Sequence, residues 1–377
     1  MLAKSELRSL TGLRGIAAIL VMFYHYDNVF VSCGRPLAGP LWRLIGHGYL
    51  MVDLFLVLSG FIMALNYADM FAAVPIRAAF TVFLLRRVAR IYPLFLFVTA
   101  ILIVLRLLGL ADPLGLHDAL PGPMLRPVIL NLLMVQAWGL DRSIDFASWS
   151  LSSEWAAYLL FPLLCMGALF GRAWLALVSA AWAAACLAGI AATPNSVMGM
   201  PCRFGPLDDS SYATALPVLR CVADFVIGLV TYRLSGLRLV QDVAASTMAG
   251  WVVCLALAVL LALPGTDLLL VVGFSPLILV LAHGRNGAAS LLASPLPHLS
   301  GELSYAIYLL HPLMHGLVMW MLWLLHDHGA LHAFGLTDLV AGGLVVALAY
   351  PVHVLVEKPG RRLMRGLEEM LRPTLAA

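Results

Sequence analysis

Long apolar runs recur along the chain, separated by short polar segments. They cover residues 10–30, 50–67, 91–110, 151–170, 173–192, 216–232, 248–263, 268–282, 303–325 and 336–355. A helix needs about 20 largely apolar residues to cross the hydrocarbon core of a bilayer, so each run predicts one spanning helix. A further run, Val128 to Leu140, has only about 13 residues and is short for a crossing. No small-residue cleavage site follows the first run, which predicts a retained span and not a signal peptide.

The basic residues set an orientation. Lys4 and Arg8 precede the first run, Arg77, Arg86, Arg87 and Arg90 precede the third, and Lys358, Arg361, Arg362 and Arg365 follow the last. The positive-inside rule places all three groups in the cytoplasm. Both termini on one side require an even number of crossings, so 128–140 is expected to be re-entrant or interfacial, a form tolerated where protein or water covers its free backbone groups. Arg233, Arg238 and Arg285 then fall on cytoplasmic turns, and 193–215 becomes the longest outer loop, either a cap or a plain connector. The expected fold is an all-α polytopic membrane protein in one domain, 1–377. It has about ten transmembrane helices, one short re-entrant or interfacial helix and cytoplasmic termini.

Composition supports this picture and removes others. Apolar residues make up 62% of the chain and charged ones 11%, where a soluble domain carries roughly 25% charged residues. That difference excludes a soluble globular enzyme. A net charge of +3 from 23 basic and 20 acidic residues is too balanced for a nucleic-acid partner held by a basic surface. The six cysteines show no metal-ligand spacing. Cys33 and Cys202 fall in expected loops, as a bridge or as two loose thiols.

Ionisable groups inside spans cost about 2.5–3.5 kcal/mol each at the helix centre on insertion scales, so each needs a partner, a wet cavity or a task. Arg14 and His25 lie on the first span, 11 residues apart. At 100° and 1.5 Å per residue they share one face and are separated by about 16 Å. The face carries a permanent cation near its inner end and a titratable base near its outer end; snorkelling to the two interfaces is the alternative. Arg87 and Arg90, three apart, form a fork suited to phosphate or an ordinary positive-inside anchor. Glu154 sits between Trp149 and Trp155 in a Ser-rich segment that includes Ser152. Asp53 opens the second span, where it could also cap a helix start. Ser304, Tyr308, His311 and His315 form one polar stripe at i, i+4, i+7 and i+11. Two histidines four apart can bind zinc, but no third ligand is evident and no metal site is expected.

Six segments taken together resemble the acyltransferase 3 family of integral membrane acyltransferases. They are Leu10-Thr-Gly-Leu-Arg-Gly15 leading to His25, Val52-Asp-Leu-Phe-Leu-Val-Leu-Ser-Gly-Phe61, Arg87-Val-Ala-Arg-Ile-Tyr-Pro93, Trp149 to Tyr158, Ser304-Tyr-Ala-Ile-Tyr-Leu-Leu-His-Pro312 and Val356-Glu-Lys-Pro359. They appear in family order over nearly the whole chain. Thr11, where the family often has an acidic residue, and Trp155, where a second polar residue is frequent, depart from the pattern.

The resemblance implies an O-acyltransferase of a bacterial-type cytoplasmic (inner) membrane. It would move an acyl group, commonly acetyl, from cytoplasmic acyl-CoA to a hydroxyl of a glycan, glycolipid or small-molecule acceptor. It implies His25 in catalysis and Arg14, Arg87 and Arg90 in donor binding, with no permanently bound cofactor. The expected mechanism has His25 as general base, oriented by Glu154 or Asp53, with an acyl-histidine relay as the competing route. Tyr308, His311, Trp149 and Ser152 are expected around the substrate cavity. No fused extracytoplasmic domain is expected, so transfer would finish in the membrane or pass to another protein. A proton-coupled transporter using the same buried charges, or a scaffold without chemistry, are the competing classes.

Overall fold

A computed structural model describes residues 7–26, 40–110, 124–198, 203–209, 213–284, 287–324 and 336–366. Fifteen α-helices and no strand occur among these residues. In order they are α1 (Arg8–Tyr26), α2 (Pro40–Gly46), α3 (Leu50–Ala73), α4 (Ile76–Leu107), α5 (Leu125–Leu132), α6 (Trp149–Cys165), α7 (Ala173–Ala192), α8 (Asn195–Met198) and α9 (Leu216–Leu234). There follow α10 (Arg238–Ala245), α11 (Thr247–Ala262), α12 (Asp267–His283), α13 (Gly287–Leu292), α14 (Pro295–Leu324) and α15 (Leu336–Val352).

Two helix pairs form the centre: α1 lies along α14, and α3 lies along α9. Apolar side chains alone cannot drive helix association in lipid, so close backbone approach at small residues carries much of the contact. At the α1–α14 crossing, a Cβ on Gly301 would stand 1.8 Å from the Thr11 carbonyl oxygen. At the α3–α9 crossing, a Cβ on Gly228 would stand 2.0 Å from the Val57 carbonyl oxygen. Both positions admit glycine only. Around them α3 is buried along most of its length, whereas α7 and α11 expose large apolar side chains such as Leu177, Trp174, Leu255 and Trp251. The apolar outer helices suit a lipid surround.

By length and apolarity, five helical stretches qualify as membrane spans: Arg43–Ala73, Ile76–Leu107, Phe146–Phe170, Ala173–Ala192 and Asp338–Gly366. A sixth is added if α10 and α11, which meet at 80°, count as one broken span. Helices also stand at the other expected spans. Among these, α1 and α9 carry Arg14, His25, Arg220 and Asp224, and α12 has 17 residues.

Several boundaries differ from those expected. The third span begins not at 91 but at Ile76, because α4 runs unbroken for 32 residues. Its first half has no Gly or Pro, so the helix continues through the basic cluster, and Arg87 and Arg90 lie inside it and not ahead of it. Similarly, α14 begins at Pro295 and not at 303. The segment expected as a helix over 128–140 is helical only over 125–132 and then turns, with Met134 at φ 55°. Side chains satisfy its irregular backbone. Asn131 donates to the carbonyls of Pro127 and Arg142 and accepts from the Ile144 N–H at 3.0 Å, and the Ser152 hydroxyl donates to the Met134 carbonyl at 2.9 Å. Cys33 and Cys202 lie outside the described residues.

Candidate active site

A cavity of about 310 Å³ opens where α1, α3, α4, α6 and α14 converge. Arg14, Arg87, Arg90, Glu154, Ser304 and Tyr308, singled out from the sequence, all line it, joined by Ser59, Asn66, Ser150, Tyr158 and Tyr305. Helical phase explains the contribution of α6: positions 150, 151, 154 and 158 share the cavity face. Trp149 and Ser152 point elsewhere. The Trp149 ring lies under the Arg220 guanidinium at 6.0 Å, and Ser152 holds the turn at 134–137 through Met134 and the Ala137 N–H.

Three guanidinium groups face one carboxylate in this cavity, and they are held differently. Arg87 donates to the Tyr67 hydroxyl at 2.9 Å and sits over the Tyr67 and Tyr158 rings at 5.3 and 5.9 Å. Arg90 pairs with Glu357 at 3.2 Å. Glu357 is fully buried and also meets Arg361 and, at 2.6 Å, His353 Nδ1. Arg14 has neither a hydrogen bond nor an ion pair with a described residue, and its charge faces the cavity. Glu154 accepts from the Ser59 hydroxyl and from the Tyr158 hydroxyl at 2.6 Å. The cavity therefore carries an excess of positive charge, which suits an anionic group bound by guanidinium donors.

His25 sits beyond one end of this cavity, higher on α1 than Arg14. Its ring stacks on His311 with centroids 4.9 Å apart, and His25 Nδ1 lies 3.1 Å from His311 Nε2. Phe146 meets the same imidazole edge-on at 5.4 Å. His311 connects back to the cavity through Tyr308, one turn earlier on α14, whose hydroxyl lies 2.8 Å from the Ser150 hydroxyl. The polar stripe on α14 thus divides: Ser304 and Tyr308 line the cavity, His311 meets His25, and the His315 ring stacks on Tyr26 at 4.7 Å.

The expectation that a carboxylate orients His25 does not match this arrangement. Asp53 is fully buried, and both its oxygens accept from Arg220 of α9, one of them at 2.7 Å. Arg220 also donates to the Asp209 carbonyl at 3.1 Å, and Asp224 is buried beside the pair. Charge within a span attracts its counter-charge from the packing neighbour, so Asp53 joins α3 to α9. The Glu154 oxygen is likewise engaged by Ser59 and Tyr158.

The segment 203–209 closes over this end of the bundle. Arg203 donates to Asn195 Oδ1 at 2.8 Å and to the carbonyls of Thr193 and Pro206. Asp267 accepts from the Tyr49 hydroxyl at 2.7 Å and the Leu207 N–H at 2.9 Å. The Phe204 ring stands edge-on to Tyr24, the neighbour of His25, at 5.8 Å. Burial pushes the Asp208 carboxyl up to about 6 although it accepts the Phe204 N–H. The described part of 193–215 packs against Tyr24 and Asp267 and lines none of the cavity. Asp145, ahead of α6, accepts the Ala147 N–H at 3.2 Å, and burial pushes its carboxyl up to about 8.

Sequence reasoning did not find Ser59, Tyr67, Tyr158 or Tyr305. A lone Ser or Tyr hydroxyl in an apolar helix reads as neutral in sequence, and which of several hydroxyls faces a cavity depends on the packing of other helices. Only the spacing of Tyr158 four residues after Glu154, one helical turn, could have suggested that pair.

A family model described as "Acyltransferase domain" matches residues 7–356. The chain is similar to "Acyltransferase MdmB" of Streptomyces mycarofaciens, with 30% identity over 95% of this chain and 92% of that protein. It is also similar to "Protein 2 in picA locus" of Rhizobium radiobacter, with 32% identity over 43% of this chain and 80% of that protein. No solved structure matches.

Proposed function

The chain belongs to the acyltransferase 3 family, and from that premise we propose that this membrane acyltransferase moves an acyl group, most simply acetyl, from acyl-CoA to a hydroxyl. One observation carries the choice of donor: Arg14, Arg87 and Arg90 converge on one cavity, and His25 stands beyond it on the helix that bears Arg14, linked to the lining residue Tyr308 through His311. Guanidinium groups at the inner end match the phosphates of coenzyme A. The separation of about 16 Å between Arg14 and His25 along α1 is comparable to the reach of an extended pantetheine arm, which brings the thioester toward the imidazole.

In this reading His25 takes the proton of the acceptor hydroxyl as its oxygen attacks the thioester carbonyl. The C–S bond then breaks, and the departing thiolate recovers a proton from the imidazolium. An imidazole is suited to both transfers near neutral pH. The acceptor, a hydroxylated glycan, glycolipid or small molecule, enters from the end where 203–209 packs, opposite the donor. Ten crossings of an inner membrane with both termini in the cytoplasm put the arginines on the side where acyl-CoA is found. Asp53 in this reading holds α3 to α9 and does not take part in proton transfer.

The test is transfer of a radiolabelled acetyl group from acetyl-CoA to a glycan and lipid extract by purified protein, wild type against His25→Ala at matched folding. Transfer by wild type alone is expected. Equal transfer by both would remove His25 from the chemistry, and substrate movement across vesicles without acyl-CoA would favour transport.

A further inference from the structure

The residue that faces His25 is itself held by a defect in its own helix. Pro312 has no N–H, so the carbonyl of Tyr308, four residues earlier in α14, has no backbone donor from that position. Within a membrane an unmet carbonyl is costly. The ring of His311 meets it, with Nδ1 2.7 Å from the Tyr308 oxygen. A carbonyl oxygen only accepts, so Nδ1 carries the hydrogen.

That bond fixes the rest of the chain of donors. His311 is fully buried with no carboxylate partner among the described residues, and such a ring holds one ring proton. Its Nε2 is then a lone pair, 3.1 Å from His25 Nδ1. Two lone pairs do not make a hydrogen bond, so His25 donates from Nδ1 to His311; the Val21 carbonyl, one turn earlier on α1, is a second acceptor, from the backbone, beside the same ring. A neutral imidazole has one N–H, which leaves the lone pair of His25 on Nε2. The Tyr26 hydroxyl, next to His25 in the chain, donates to the His311 carbonyl at 2.8 Å and ties the two helices at the same level.

We propose that His311 is a positioning residue that sets the tautomer of His25, with the carbonyl freed by Pro312 as the final acceptor, so that His25 Nε2 is the basic atom. This rests on His25 as the general base. When Nε2 takes the hydroxyl proton, the new cation on His25 is stabilised by its Nδ1–H bond to His311 Nε2. The chain Tyr308 carbonyl, His311, His25 fills the place that a carboxylate fills in a hydrolase triad.

The test uses full-length protein carrying 15N-labelled histidine rings, with the His25 signals identified by their loss in His25→Asn. His25 is expected to be protonated at Nδ1 and bare at Nε2. His311→Gln, whose amide oxygen can accept from Nδ1, keeps that tautomer; His311→Phe, which keeps the ring volume, loses it. In the transfer assay His311→Phe lowers kcat by about 100-fold with donor KM within about twofold, and His311→Gln regains at least about tenfold of the loss. A His25 protonated at Nε2 in wild type overturns the proposal, as does a His311→Gln protein as slow as His311→Phe. Should His311→Phe not fold, the wild-type tautomer and the His311→Gln rate decide. An active His25→Ala protein would instead overturn the role of His25 as base, separately from the tautomer measurement.

Discussion

Arg220 on α9 clasps both carboxylate oxygens of Asp53 on α3, and both side chains are out of contact with solvent. The pair closes the helix crossing that Gly60 and Gly228 bring together, with Trp149 stacked against the guanidinium. Removing one partner leaves the other charge buried and alone, which costs about 3–5 kcal/mol. Arg220→Ala is therefore expected to unfold at a much lower temperature than wild type in detergent, and Arg220→Lys, without the fork, also at a lower one. The double variant Asp53→Leu with Arg220→Leu is expected to recover part of the loss, since Asp53 is no longer left without its partner, and the buried Asp224 carboxyl beside the pair limits the recovery. A fully stable Arg220→Ala protein would show that the pair is not a structural clamp.

That pair also marks how far the sequence could be read. Asp53 stands out as a charge in an apolar run, and a need for a partner follows from the cost of burial. The partner is 167 residues away, and periodicity within one helix carries no information about which helix it packs against. Apolar runs locate the helices well, and 173–192 coincides with α7. They fail where helix continues past the apolar stretch, as in α4, whose first half carries Arg77, Arg86, Arg87 and Arg90. The family segments name Arg14, Arg87 and Arg90 together for donor binding and set Glu154 beside His25, whereas Glu154 and Tyr308 line the same cavity as the three arginines and His25 does not. The His25 to His311 contact was not anticipated, because it depends on a carbonyl vacated by Pro312 and on the approach of α1 to α14.

If the unpaired Arg14 contributes its charge to donor phosphates, its removal should act on donor binding. Arg14→Ala is expected to raise the donor KM by roughly tenfold or more, with a smaller rise for Arg14→Lys, which keeps the charge but loses the planar fork. Arg87→Ala should act similarly. Arg90→Ala should also lower thermal stability, because Glu357 loses one of its cationic partners. Calorimetric titration with coenzyme A reads the binding directly. Unchanged affinity in Arg14→Ala and Arg87→Ala would remove the cavity from donor recognition.

The α3–α9 crossing leaves no room for a side chain at residue 228, where a Cβ would meet the Val57 carbonyl at 2.0 Å and the Phe61 nitrogen at 2.8 Å. Backbone cannot yield as a side-chain end can, and overpacking costs typically 1–3 kcal/mol even where neighbours are flexible. Gly228→Val is expected to give aggregated or unfolded protein on size-exclusion chromatography. Gly343→Ala, a helical glycine with open space where its Cβ would go, is expected to behave as wild type. A monodisperse Gly228→Val protein with normal thermal stability would mean that the helices do not approach this closely.

Asp145 gives the fold a pH dependence whose sign can be worked out. Its carboxyl, ordinarily near 3.8, is pushed up to about 8 by burial, with the Ala147 N–H opposing the shift. Between those values the folded protein holds a proton that the unfolded chain has released, so stability falls as pH rises from about 4 to about 8 and levels off above. Asp145→Asn cannot titrate and still offers an oxygen to the Ala147 N–H. Its unfolding temperature should match wild type near pH 4 and exceed it by a margin that widens up to pH 8. Asp208, pushed up to about 6, adds a slope of the same sign below that pH in both proteins, so it cancels in the comparison. Parallel unfolding curves for the two proteins from pH 5 to 8 would show that Asp145 is already ionised in the folded state.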